Sequence, residues 1–212
     1  MYSLSEQVDN FVFHLEKEGY KLFPYLPNQN WKKGDPIYYS GPYWDNQEPT
    51  AAITALLSGK WLPAGENVNK FESAFSKQFE FKHSVMVNSG SSANLVMIAA
   101  LKKYFDWKDG DEIIVCACGF PTTINPIIQA DLKPVFVDIN DDDLNWDLEQ
   151  VEAKITDRTV AAFSSPVLGN PYDFDKFLDI IDRNGLKYIA DNCDSLGSKW
   201  RGEFLTKNAI AA

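Results

Sequence analysis

From Ser84 to Asp191 the chain repeats one pattern: a short apolar run, a polar turn, then a longer stretch with helical spacing. The apolar runs Val85–Val87, Glu112–Cys116, Pro134–Val137, Val160–Ser164 and Lys187–Ala190 read as strands. Between them, Ser92–Phe105, Pro121–Gln129, Asp147–Ile155 and Phe174–Arg183 read as helices, with Asp147 as an N-cap. Runs that stay apolar, rather than alternating with polar residues, belong to strands buried on both faces. A helix after each strand supplies the cover. The pattern predicts an α/β fold with a mainly parallel sheet covered by helices.

The residues before Ser84 read differently. Leu4–Lys17 carries Val8, Phe11, Val12 and Leu15 at helical spacing. The stretch 23–44 holds Phe23, Tyr25, Trp31, Tyr38, Tyr39, Tyr43 and Trp44 among prolines and glycines. It has no clear period and reads as an arm whose aromatics need cover, which a partner subunit can provide. Glu48–Leu57 is expected as a second helix. After a loop at 61–65, Glu66–Phe79 is expected as an amphipathic helix with Val68, Phe71, Phe75 and Phe79 on one face. The expected division is a helix and arm over 1–44 and a sheet domain over 45–212.

A formal charge of -10 on 212 residues argues against nucleic acid or an anionic membrane surface as the main partner, since no general basic field attracts either. It leaves room for a small anion held by a local nest of N–H groups. The first ten residues are acidic and lack an apolar core, unlike a signal peptide. No run approaches the roughly 18 apolar residues of a membrane span. Cys116, Cys118 and Cys193 are too few and too odd in number for a disulfide framework. A cytoplasmic setting is expected.

In open α/β sheets the ligand sits outside the carboxyl ends of the strands. That rule selects the loops at 88–92, 117–122, 164–171 and 191–197. The first, Asn88-Ser89-Gly90-Ser91-Ser92, crowds backbone N–H groups and hydroxyls into one turn. A helix starting near Ser92 would aim its free N–H groups and positive dipole end there, which suits a phosphate. Gly90 fits either a positive φ or a close backbone approach. A well-capped helix explains the same serines without a ligand.

Taken in order, N-S-G-S-S-A-N-L (88–95), G-F-P-T-T-I-N-P-I-I-Q (119–129), P-V-F-V-D (134–138), L-G-N-P (168–171) and D-N-C-D-S-L-G-S (191–198) resemble the DegT-type sugar aminotransferase family over about residues 36–203. They look nearest to its branch of 3-dehydratases acting on 4-keto-6-deoxyhexoses, typified by the CDP-4-dehydro-6-deoxyglucose 3-dehydratase. The resemblance implies an incomplete large domain of the PLP-dependent transferase (aspartate aminotransferase) fold, binding pyridoxal or pyridoxamine 5′-phosphate. Gly90 and Ser91 match its phosphate-binding turn, and Phe120 the aromatic that stacks on the pyridine ring. Asp191 matches the carboxylate paired with the pyridine nitrogen, which keeps the ring an electron sink. Asp194 matches an acidic or His position beside the cofactor. Trp61 matches a segment near the sugar nucleotide.

Cys193 matches one ligand of the [2Fe–2S] cluster found in some of these dehydratases. A cluster needs four ligands, and Cys116 and Cys118, expected to face the same way into a core, do not match the others. A buried structural thiol is the alternative. The resemblance implies a nucleotide-linked 4-keto-6-deoxyhexose as substrate, a homodimer, and a reductase partner, in deoxysugar and lipopolysaccharide biosynthesis. Pro166-Val167 departs from the His or Thr that relatives carry before L-G-N-P. The catalytic Lys of the aminotransferases, or the His of the 3-dehydratases, is expected after Ala212. Three readings follow: the amino-terminal portion of a 3-dehydratase, the same portion of a nucleotide-sugar aminotransferase, or an inactive fragment that binds cofactor or a partner chain. In the last case the final strand is expected to leave a bare, association-prone edge.

Overall fold

The computed structural model describes residues 2–20, 32–36, 45–59 and 65–212. All seven aromatics of the expected arm lie outside these residues, as does Trp61. The chain forms two compact units, Met1–Phe71 and Glu72–Ala212.

In the first unit, α1 (Leu4–Lys17) opens on a capping box. Glu6 N–H donates to Ser3 Oγ at 3.2 Å and Ser3 N–H donates to the Glu6 carboxylate at 2.6 Å, so two otherwise orphaned donors are satisfied. Val8 and Val12, one turn apart, are its buried residues, while Phe11 is exposed. It packs against α2 (Gln47–Ser58). Asn46 Nδ2 and Thr50 Oγ1 both donate to Asp9 Oδ1, at 2.7 and 3.4 Å. A third helix, α3 (Glu66–Gln78), leads into the second unit.

There α4 (Gly90–Phe105) is followed by β1 (Glu112–Cys116), α5 (Pro121–Gln129), β2 (Lys133–Val137), α6 (Leu148–Ala153), β3 (Thr159–Ser164), α7 (Phe174–Arg183) and β4 (Lys187–Ala190). The four strands form one parallel sheet in the order β2-β1-β3-β4. A two-stranded antiparallel ribbon, β5 (Lys199–Trp200) and β6 (Glu203–Phe204), follows. β1 is central and buried along its whole length. Its side chains alternate between two cores. Ile114 and Cys116 join Val151, Phe177 and Ile180 of α6 and α7, while Ile113 and Val115 join Ile98, Leu101 and Ile127 of α4 and α5. The expected cover on both faces is thus present. Asp147 caps α6 as expected, accepting from the N–H groups of Glu149 and Gln150.

Three expectations are corrected. Val85–Val87 is not a strand. It has no ladder partner among the described residues, Val85 is 79% exposed, and Met86 N–H donates to the Glu72 carboxylate at 2.7 Å. An apolar run becomes a strand only where a neighbour satisfies its backbone. α4 begins at Gly90 rather than near Ser92 and buries one face only: Asn94, Ile98 and Leu101 are covered, while Leu95 and Val96 are exposed. Nor is the outer edge of β4 bare. Ile210 N–H donates to Tyr188 O at 2.9 Å and Ala190 N–H to Ala211 O at 3.0 Å, so residues 210–211 run parallel beside it.

At the amino ends of the strands, a buried charge ties β1, β2 and the loop before β3 together. Glu112 accepts from Thr156 Oγ1 at 2.6 Å, Lys133 Nζ at 2.9 Å and Arg158 Nη2 at 3.1 Å. The Thr156 hydroxyl, then Lys133, hold its carboxyl below the usual range against the opposing effect of burial. A carboxyl whose folded pKa is depressed stabilises the fold above its unfolded pKa, near 4.3. That contribution is lost as pH falls through the lower folded value. Glu112→Gln is expected to lower stability by about 2 kcal/mol at pH 7, the scale of hydrogen bonds to a charged group. Urea unfolding at pH 7 and pH 3 checks this: the gap between variant and parent is expected to shrink at pH 3.

Candidate active site

The sheet order places β2 and β3 on opposite sides of β1, so the loops after β1 and β3 diverge. That divergence is where ligands enter folds of this kind. The four loops predicted to form the site do meet there. Asp191 directly follows β4; its N–H donates to Ser164 O of β3 at 2.8 Å. The residue is 4% exposed, and a buried carboxylate must be hydrogen-bonded. Its Oδ2 accepts from Asn94 Nδ2 of α4 at 2.8 Å and from Thr123 Oγ1 of α5 at 2.6 Å. Its Oδ1 accepts from Cys193 N–H at 3.2 Å. Strand end, two helices and the following turn therefore converge on one carboxylate.

The turn at 88–92 is the one expected to hold a phosphate through a nest of N–H groups. Ser89, not Ser91 or Ser92, is the N-cap: its Oγ accepts from Ser92 N–H at 3.1 Å, and its carbonyl from Ala93 N–H at 3.0 Å. The N–H groups of Gly90 and Ser91 are left without a partner among the described residues, at the positive end of a 16-residue helix. Of the two uses open to Gly90, the structure selects close approach. Its φ is not positive, and an added Cβ would lie 2.7 Å from Cys193 Sγ. Gly90→Ala therefore meets the sulfur without backbone strain. It is expected to cost about 1–3 kcal/mol, the range for overpacking, with most of that recovered in Gly90→Ala/Cys193→Ala. Chemical denaturation of the three variants checks it.

Cys193 lies between the nest and Asp191. The residue is exposed, not the buried structural thiol offered as the alternative, because it sits in the turn beyond β4. Partial desolvation of the thiol, then the Asp191 charge and a hydrogen bond to that carboxylate, then the Asp194 charge, push it up to about 11, so it is a protonated thiol at neutral pH rather than a thiolate. Among the described residues, no group of three or more His, Cys, Asp or Glu side chains could hold a metal. Cys116 and Cys118 do not face the same way: Cys116 is buried at the end of β1 and Cys118 is exposed beyond it, because strand alternation stops where the strand does. Asp194 is exposed, with its backbone oxygen beside Gly169.

Gly169 has φ +75°, and a Cβ there would lie 2.8 Å from Ser198 Oγ and 3.1 Å from Asp194 O, so the loop after β3 closes on the loop after β4 through a glycine. Leu168 before it also has a positive φ and is 83% exposed. Phe120 stands at the N-cap of α5, 69% exposed, with its carbonyl accepting from Thr123 N–H at 3.0 Å. Its ring is thus a free aromatic face at the site's rim.

Asn94 and Thr123 were not singled out by sequence reasoning. A signal for Asn94 existed: it shares the spacing of Ile98 and Leu101, so it is the polar member of an otherwise apolar stripe. Thr123 gave none, since one of two adjacent threonines in a first helical turn is unremarkable until the partner across the fold is known.

Residues 44–211 match the model of the DegT/DnrJ/EryC1/StrS aminotransferase family. A dTDP-4-dehydro-2,6-dideoxy-D-glucose 3-dehydratase of Saccharopolyspora spinosa is 39% identical over 79% of this chain and 37% of its own length. A GDP-4-keto-6-deoxy-D-mannose 3-dehydratase of Yersinia pseudotuberculosis is 41% identical over 76% of this chain and 41% of its own. The solved structure of the E. coli GDP-4-keto-6-deoxy-D-mannose-3-dehydratase with bound hydrated PLP aligns with a TM-score of 0.72 at 41% identity, covering 77% of this chain and 42% of that one. The chain spans about two fifths of the length of these relatives. Its sheet and flanking helices are part of the PLP-dependent aminotransferase fold. Because the family match runs through every strand and loop of the site just described, the chain belongs to the DegT/DnrJ/EryC1/StrS aminotransferase family.

Proposed function

We propose that this chain provides the cofactor-binding part of a pyridoxal or pyridoxamine 5′-phosphate-dependent 3-dehydratase acting on a nucleotide-linked 4-keto-6-deoxyhexose in deoxysugar and lipopolysaccharide biosynthesis. The observation that carries the reading is the pairing of a buried, fully oriented Asp191 with two unpartnered N–H groups at Gly90 and Ser91. These are the groups a phosphorylated pyridine needs at its two ends. The residues fit the cofactor: Gly90 and Ser91 would hold the phosphate, the exposed Phe120 ring would stack on the pyridine face, and Asp191 would accept from the ring nitrogen. Bound there, the cofactor supplies an electron sink for loss of the sugar's 3-hydroxyl. The dehydratase reading is preferred over the aminotransferase one because relatives near 40% identity carry the dehydratase name.

The setting proposed is the cytoplasm; among the described residues no helix is long and apolar enough to cross a membrane. We further propose a homodimer and a reductase partner. Exposed Phe120, Leu168 and Leu196 at the rim support cover by a second copy. Asp194 is assigned to the cofactor's surroundings, Trp61 to the sugar nucleotide, and Cys193 to one ligand of a [2Fe–2S] cluster whose other ligands lie further along a full-length family member.

Calorimetric titration with pyridoxamine 5′-phosphate tests the reading. Saturable binding is expected, with inorganic phosphate competing and unphosphorylated pyridoxamine binding far more weakly. Absence of saturable binding, or equal affinity for pyridoxamine, would overturn it.

A further inference from the structure

Strand and helices fix Asp191, but the phosphate end of the site is held in another way. The first turn of α4 is exposed at Gly90, Ser91 and Ala93, so the core gives it no cover. The run that enters it, residues 84–88, has no ladder partner, and both of its hydrogen bonds among the described residues go to α3. Met86 N–H donates to the Glu72 carboxylate at 2.7 Å, and Ser76 Oγ donates to Ser84 Oγ at 2.7 Å. Glu72 and Ser76 are four residues apart on a helix, about 6 Å along its axis. Ser84 and Met86 are two residues apart, about 6.6 Å in extended chain. The spacings match, so the run passes α3 antiparallel and in a fixed register. The same helix leads to the other end of the site. Phe79, directly after α3, has its ring centroid 5.8 Å from that of Phe204 in β6, and a Cβ on Gly197 would lie 3.7 Å from it. Gly197 belongs to the loop that begins at Asp191.

We infer that Glu72 is a positioning residue for the phosphate end of the cofactor site: through Met86 it holds the entry to α4, and with it the N–H groups of Gly90 and Ser91. The inference rests on the functional reading above. Glu72 acts on a backbone N–H four residues before Gly90 and touches no ligand itself. Between Met86 and the N-cap Ser89, Val87 and Asn88 make no hydrogen bond among the described residues. The place of Ser89 is therefore set from α3. Released from Glu72, the entry shifts, the N-cap loses its fixed place, and the two N–H groups no longer converge on one anion. A displacement of about 1 Å is enough to weaken a positioned contact strongly. A carboxylate suits the task, since a bond from an N–H to an ionised oxygen is about twice as strong as a neutral one. In a true strand a sheet ladder would do this work. Here one side chain on a neighbouring helix replaces it.

The test titrates pyridoxamine 5′-phosphate and unphosphorylated pyridoxamine into the whole chain, parent and variants. The readout is the ratio of the two affinities, which is the site's preference for phosphate. In Glu72→Ala that preference is expected to fall about tenfold, the lower end for loss of a hydrogen bond to a charged group. Glu72→Gln keeps an acceptor for Met86 N–H and is expected to stay within about threefold of the parent. Ser76→Ala, which removes the neutral second hold, is expected to lower the preference about threefold. A residue that only stabilised the fold would, once removed, reduce the binding-competent fraction and weaken both ligands alike, leaving the ratio where it was. Saturable binding by the parent with an unchanged ratio in Glu72→Ala overturns the positioning role and leaves the functional reading intact. A ratio in Glu72→Gln as low as in Glu72→Ala does the same, since the acceptor would then not be what matters. If Glu72→Ala fails to fold, Ser76→Ala decides: an unchanged ratio there overturns the role of α3. No saturable binding by the parent overturns the functional reading, and this inference with it.

Discussion

Asp191→Asn is expected to weaken pyridoxamine 5′-phosphate binding at least about 30-fold, the lower end of what is lost when one partner of a buried, hydrogen-bonded charge pair is removed. The geometry explains why an amide is a poor substitute. Asn94 Nδ2 and Thr123 Oγ1 both point donors at the Oδ2 position, so the new amide must place its oxygen there. Its nitrogen then occupies the Oδ1 position, donor against the Cys193 N–H and donor towards the ring nitrogen. The site changes from one that accepts a proton-bearing nitrogen to one that demands a bare lone pair. Titration of parent and variant side by side checks the affinity. A variant binding within about threefold of the parent would mean that the carboxylate does not meet the cofactor, since so small a change is well under 1 kcal/mol.

Phe177→Ala is expected to be the most damaging single change to the fold. Phe177 is fully buried, with ring centroids of Tyr172 and Tyr188 at 5.1 Å, Phe174 at 5.8 Å and Trp146 at 6.1 Å. Truncating such a residue removes its transfer free energy and leaves a cavity, typically about 3–5 kcal/mol. The Tyr188 hydroxyl and Trp146 Nε1 are buried without hydrogen-bond partners among the described residues. A water entering the cavity would find donors to pair with. The loss is therefore expected near about 3 kcal/mol, or roughly 6–12 °C in melting temperature for a chain of this size. Thermal unfolding followed by circular dichroism checks it; a fall of only a degree or two would show that the aromatic cluster repacks. The site stands on this packing, because β3, which ends at Ser164, and β4, which leads directly into Asp191, contribute to it.

Much of this architecture was legible in the residues, and the reason differs from element to element. Glu112–Cys116, Phe174–Arg183 and Leu4–Lys17 came out at their observed bounds because each carries its own period and a turn or cap at its ends. The Asp147 cap is a contact within four residues and needs nothing else. The run Val85–Val87 carried the same apolar signal as the true strands and still formed none. A strand's partner is supplied by tertiary structure, and hydrophobicity does not record whether it is there. The apolar circumference of α4 misled for the same reason, since Leu95 and Val96 are covered only if something lies against them.

At the site, the sequence alone determined the kinds of residue and their loops: serines and a glycine before one helix, an aromatic before a proline, a carboxylate at a strand end. The serines and glycine pointed to a phosphate, and the resemblance of the whole order to the DegT-type family implied a ring. Only the tertiary structure decided that Asn94 and Thr123 share Oδ2 of Asp191, and that Cys193 Sγ stands against Gly90, where a Cβ would not fit. Those contacts join residues 68 to 103 positions apart, and local propensity carries no information at that range. A parallel sheet brings such residues together through its crossovers, so the geometry at its carboxyl edge belongs to the folded chain and not to any one stretch of it.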